Sequence, residues 1–112
     1  MSRSGGSQLR IIGGQWRGRK LCFTPEPGLR PTQDRHRETL FNWLMFQVEG
    51  ARCLDLFAGS GALGLEALSR GAAWVDFVDA SPRAAQTIRQ HLQTLGCGQA
   101  RVHQRPAEAW LK

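Results

Sequence analysis

Cys53-Leu54-Asp55-Leu56-Phe57-Ala58-Gly59-Ser60-Gly61-Ala62-Leu63-Gly64-Leu65-Glu66-Ala67-Leu68 is the stretch whose reading decides the fold. Cys53 to Ala58 is a short apolar run interrupted only by Asp55. Gly59 and Gly61 follow at once, and a helical pattern then runs to Gly71. The order reads as strand, glycine turn, helix. Downstream, Trp74 to Val78 alternates around Asp76 and closes at Asp79, a second strand. Ser81 offers an N-cap hydroxyl and Pro82 fits the first helical position, while Ile88, Leu92 and Leu95 form an apolar stripe that Gly96 ends. Ala100 to Gln104 predicts a third strand, and residues 106–112 the opening turns of a further helix. Strands alternating with helices at a spacing of about 25 residues predict an α/β fold built on an open parallel sheet.

Upstream of that stretch, Leu40, Phe41, Leu44, Met45 and Val48 recur on one face of a 3.6-residue period. They predict a helix from Thr32 or Gln33 to Val48, with Trp43 read as core packing beside the stripe and Gly50 as the stop. Pro25, Pro27, Gly28 and Pro31 mark a loop, because proline lacks a donor and restricts the residue before it. Leu9 to Ile12 and Lys20 to Thr24 flank Gly13-Gly14-Gln15-Trp16-Arg17-Gly18, which predicts a β-hairpin holding Trp16 and Arg17 on an exposed tip. The division expected is a disordered tail over residues 1–8, a basic hairpin and loop over 9–31, and the parallel-sheet unit over 32–112.

The chain has 112 residues, a length that fits one domain. Hydrophobic residues make up 41% of it and charged residues 21%, ordinary globular usage that argues against wholesale disorder. Its longest apolar runs, Trp43 to Phe46 and Ala72 to Val75, fall far short of the ~20 residues of a membrane span or the ~7 to 15 of a signal peptide. The expected location is the cytoplasm. Cys22, Cys53 and Cys97 form no CxxC pair, so they read as buried or half-buried thiols rather than disulfides or zinc ligands. His36, His91 and His103 have no carboxylate or Cys at dyad or ligand spacing and read as surface or helix-face residues. Asp76 and Glu66 read as solvated.

The net charge is +6, and residues 1–37 hold all of the surplus, with eight cations against two anions. Arg10, Arg17, Arg19, Lys20, Arg30, Arg35 and Arg37, with Trp16 among them, are therefore candidate contacts to a nucleic acid. Cations neutralise phosphates, and an aromatic ring stacks on an unpaired base.

Open parallel sheets bind ligands beyond the carboxyl ends of their strands, where helix N-termini aim free amides outward. Gly59 and Gly61 let backbone approach such a ligand, and Asp79 falls where a carboxylate accepts both hydroxyls of a ribose. Gly59 to Gly64 also satisfies GxGxxG, the dinucleotide fingerprint. Asp55 argues against a pyrophosphate, which it would repel. It favours the ammonium of an amino acid, and S-adenosylmethionine carries one without any phosphate.

Asp55 to Ala67, together with Arg10-Ile11-Ile12-Gly13-Gly14 and with Gly28 to Arg35 running into Arg37-Glu38-Thr39-Leu40-Phe41, resembles the bacterial 16S ribosomal RNA guanine-N2 methyltransferase D family. The resemblance implies a class I methyltransferase, Rossmann-like fold, incomplete here, with residues 32–112 as its first half. It implies methyl transfer from S-adenosylmethionine to the exocyclic N2 of a guanine in 16S ribosomal RNA, free or in an assembling small subunit, by a protein that is monomeric when complete. It also places Asp55, Phe57, Gly59 and Gly61 around the methionine part of the donor, Asp79 on its ribose, and Thr32 in the segment closing over it. Pro106 stands where a polar residue usually meets the adenine, which leaves Ala107 as a backbone contact.

The family's chemistry rests on an Asp-or-Asn, Pro, Pro, aromatic loop. Its acceptors hold the two amine hydrogens of guanine and oppose delocalisation of the nitrogen lone pair. The prolines here stand at 25, 27, 31, 82 and 106, never adjacent, so this loop is missing and weak or absent turnover is expected. In the strand order that the resemblance implies, the missing strands would cover one side of the Cys53 to Phe57 strand, which is therefore expected as an open edge. Two further readings use the same features: a non-catalytic RNA-binding fragment, and a nicotinamide-dependent oxidoreductase domain.

Overall fold

The computed structural model describes residues 7–23, 34–44, 47–56 and 58–110. Ser7–Arg10 (β1) and Lys20–Phe23 (β2) pair antiparallel, with Leu9 opposite Leu21. The hairpin is thus as expected, except that its first strand begins at Ser7, inside the segment read as tail. A 3-10 turn, Gly14–Trp16, occupies its tip.

The helix Asp34–Trp43 (α1) is followed by three strands, Arg52–Leu56 (β3), Trp74–Asp79 (β4) and Ala100–Gln104 (β5). They form one parallel sheet in the order β3-β4-β5, with Cys53 beside Val75 and Val75 beside Ala100. The crossovers are Ala62–Ser69 (α2) and Pro82–Leu95 (α3), and Ala107–Trp110 (α4) follows β5. The α3 signals work as the sequence predicts. Ser81 Oγ accepts from Ala84 N–H, Pro82 opens the helix, and Gly96 closes it in the left-handed region at φ 67°.

Apolar side chains of the hairpin, α1, α2, α3 and the sheet share one core that includes Ile11, Leu21, Phe41, Leu65, Val75, Phe77 and Ile88. Gly64 is what lets α2 lie so close to the sheet, since a Cβ there would stand 2.2 Å from Phe77 Cε1. Among the described residues β3 pairs on one side only, leaving Leu54 46% exposed. No helix among these residues is long and apolar enough to cross a membrane.

Several expectations need correcting. Trp43 is 78% exposed, because it lies about 110° around the helix from the centre of the Leu40, Phe41, Leu44 stripe. Cys22 is exposed, on the outward face of an edge strand, whereas Cys53 and Cys97 are half-buried as read. Glu66 is buried rather than solvated, and His91 is buried as well. His103 does have a carboxylate partner: its Nε2 lies 2.9 Å from Asp76 Oδ1, across neighbouring parallel strands that linear spacing does not reveal.

Candidate functional site

Asp55, Asp79 and Ala107 come from segments far apart in sequence, and the parallel sheet brings them to one end of the molecule, at the carboxyl ends of β3, β4 and β5. Between β3 and α2 the chain turns through Gly59 and Gly61, both left-handed, at φ 59° and 86°. Side chains rarely adopt that backbone, and at Gly61 a Cβ would also press within 3.1 Å of Ile88 Cγ1.

Asp55 reaches forward to the opening turn of α2, where its Oδ2 accepts from Gly64 N–H at 3.0 Å. Burial pushes its pKa up from 3.8 to about 6; the Gly64 amide opposes this and the charge of Asp79 adds to it. Asp79 holds the other side of the turn. Its Oδ2 accepts from Gly59 N–H and its Oδ1 from Ser81 N–H, both at 2.9 Å. Each carboxylate oxygen has two lone pairs, so these bonds leave acceptor capacity for a ribose. Ala107 is buried at the start of α4. Phe57 and Thr32 lie outside the described residues.

The basic set divides. Arg17, Arg19 and Lys20 are exposed on the hairpin, and Arg10 is exposed on β1. Trp16 is only partly exposed and packs against the core, and its backbone N–H donates to Ser69 Oγ at 3.0 Å, which draws the tip onto α2. Arg37 is fully buried, contrary to its reading as a nucleic-acid contact. Its Nε lies 3.5 Å from Glu66 Oε1 and its Nη2 donates to the Arg10 carbonyl, so the fold engages the guanidinium internally. Arg30 and the side chain of Arg35 lie outside the described residues.

Sequence reasoning missed Glu66, Ser69 and Arg70, which meet the hairpin. The available signal was a single charge in the otherwise apolar Ala62–Ser69 helix, with Arg70 four residues on, at pairing distance.

A three-strand parallel sheet with both crossover helices, an acidic strand end and a glycine turn at its carboxyl edge define the Rossmann-like architecture of class I methyltransferases, here in part. A solved S-adenosylmethionine-dependent methyltransferase from Agrobacterium tumefaciens shares this fold at a TM-score of 0.71 and 23% identity, covering 99% of this chain and 36% of that one. The family model described as Conserved hypothetical protein 95 matches residues 9–112, and the chain belongs to that family. It is 58% identical over 101 residues to the Escherichia coli (strain K12) protein named Ribosomal RNA small subunit methyltransferase D, covering 90% of this chain and 51% of that protein. The protein of the same name from Haemophilus influenzae is 54% identical over 90 residues, covering 80% of this chain and 47% of its own length. The solved Escherichia coli protein yhhF superposes with a TM-score of 0.87 at 51% identity, over 94% of this chain and 56% of that one. The chain thus spans about half the length of the curated relatives it matches.

Proposed function

We propose that this chain carries the donor-binding part of a ribosomal RNA methyltransferase, with S-adenosylmethionine as methyl donor and a guanine N2 of 16S ribosomal RNA as acceptor. Asp55 carries the reading. A carboxylate held partly out of water, at the mouth of a glycine turn and against a helix N-terminus, lacks a cationic partner among the described residues. An amino acid ammonium fits that lack and a pyrophosphate does not. Asp79 is the acceptor for ribose hydroxyls, Gly59 and Gly61 keep the approach clear, and the family resemblance assigns Phe57, Thr32 and Ala107 to the same donor. When bound, S-adenosylmethionine supplies an electrophilic methyl group on a sulfonium. The residues of this chain bind and orient the donor, while the exposed hairpin cations Arg17, Arg19 and Lys20 hold the RNA backbone.

The relatives named for small-subunit ribosomal RNA methylation support ribosomal RNA as the acceptor class, and a cytoplasmic site of action is part of the same reading. With no adjacent prolines in its sequence, the 112-residue chain binds the donor without turning it over. Calorimetric titration tests the reading: S-adenosylmethionine binds and NAD does not. Affinity for NAD without affinity for the methyl donor would overturn it, and labelled-methyl incorporation into 16S RNA by the purified chain would overturn the inactivity.

A further inference from the structure

Glu66 is 1% exposed, and a carboxylate so buried persists only where its charge and lone pairs are satisfied. Here the hairpin does much of that. Ile12 N–H donates to Oε1 at 3.0 Å and Gly13 N–H to Oε2 at 2.8 Å, while Arg70 Nε donates to Oε2 at 2.8 Å and Arg37 supplies a second positive charge. One turn further along α2, Ser69 Oγ donates to the Gly13 carbonyl at 2.5 Å and accepts from Trp16 N–H. Contact is so close that a Cβ at Gly14, φ 81°, would stand 1.9 Å from the Ser69 carbonyl oxygen.

The four of these bonds that reach the hairpin grip backbone of residues 12–16, immediately before the exposed Arg17, Arg19 and Lys20. The strands themselves are anchored separately, by Leu9, Leu21 and Phe23 in the core. We propose that Glu66 and Ser69 are positioning residues that fix the hairpin tip, and with it the RNA-facing cations, at the far end of the helix whose first turn Asp55 holds. The proposal rests on the reading that the hairpin meets RNA. It separates two properties: loosening this attachment lowers RNA affinity and leaves donor affinity alone.

The test uses Ser69→Ala and Glu66→Gln in the 112-residue chain, with three readouts. These are tryptic cleavage after Arg17 and Arg19 against cleavage after Arg83 and Arg89 in α3, affinity for a labelled 16S RNA transcript, and affinity for S-adenosylmethionine. The expected result is at least tenfold faster cleavage at the tip with α3 protected, about tenfold weaker RNA binding, and donor affinity within twofold. Unchanged tip cleavage, or unchanged RNA affinity despite a released tip, overturns the proposal. So does equal loss of RNA and donor affinity. If Glu66→Gln does not fold, because the buried cluster loses its Glu66 carboxylate charge, Ser69→Ala decides alone, since it leaves the ionic cluster intact. A paired Arg17→Ala, Arg19→Ala variant with a docked tip isolates the underlying reading: its RNA affinity and salt dependence fall if the cations hold RNA, and remain unchanged if that reading fails.

Discussion

Asp55 works against the stability of the fold that holds it. Its pKa rises from 3.8 to about 6 on folding, so between those values the folded chain binds more protons than the unfolded one. Stability from this group therefore increases as pH falls from 6 toward 4, and at neutral pH the ionised side chain is a cost. Asparagine keeps an acceptor for Gly64 N–H and sheds the charge. Asp55→Asn is expected to raise unfolding stability at pH 7.5 by about 1 kcal/mol, measured by urea denaturation, while weakening donor binding by more than tenfold. In the unchanged chain, donor affinity should be level above pH 7 and fall roughly tenfold per unit below pH 6, as the carboxylate takes up the proton that excludes the ammonium. A flat profile from pH 7.5 to 5 would contradict this. Asp55 and Asp79 were legible because strand ends and glycine turns are local signals. Glu66 and Arg37 were not, because the same residue types are usually solvated and the hairpin backbone that engages both lies far away in sequence.

Among the elements, α2 depends on one missing atom. With Phe77 Cε1 only 2.2 Å from the place of a Cβ, Gly64→Ala is expected to destabilise the chain by about 1 to 3 kcal/mol through overpacking. Adding Phe77→Leu should recover part of that loss in a double-mutant cycle, and strict additivity would show that the two do not compete for space. On α3, His91 Nε2 donates to the Cys22 carbonyl at 3.3 Å, and burial holds its pKa below the usual 6.5 despite backbone partners that raise it. The unfolded chain therefore takes up this proton first as pH falls below 6.5, so the His91 contribution is lost on acidification, opposite in sign to that of Asp55. Urea midpoints between pH 7 and pH 5 should fall less steeply in His91→Gln than in the parent chain. The α3 caps and the parallel order were readable from local signals. The His103–Asp76 pair is a contact between segments distant in sequence, and the helix Asp34–Trp43 stops short of the Val48 that its apolar stripe predicted.

For the molecule as a whole, the side of β3 that is unpaired among the described residues is the weak point. Leu54 is 46% exposed on that strand, and an apolar groove of about 190 Å³ beside it is lined in part by Leu40, Leu44, Cys53 and Leu63. An unpaired, hydrophobic strand edge is a template for pairing with another chain. Light scattering of the purified 112-residue chain should show concentration-dependent association, reduced several-fold by Leu54→Lys with the circular dichroism spectrum unchanged. Association indifferent to that lysine would locate the contact elsewhere. This edge was foreseeable from the family resemblance, whose strand order leaves one side of the Cys53 to Phe57 strand uncovered in an incomplete sheet. Docking of the hairpin tip on α2 was not, since it depends on backbone amides that carry no residue signature. That docking makes α2 a gauge block: one end abuts the glycine turn, the other the hairpin. A helix advances about 1.5 Å and rotates about 100° per residue, so a single insertion between Gly64 and Glu66 would swing the arginine-bearing tip more than a quarter turn away from its bearing on the pocket.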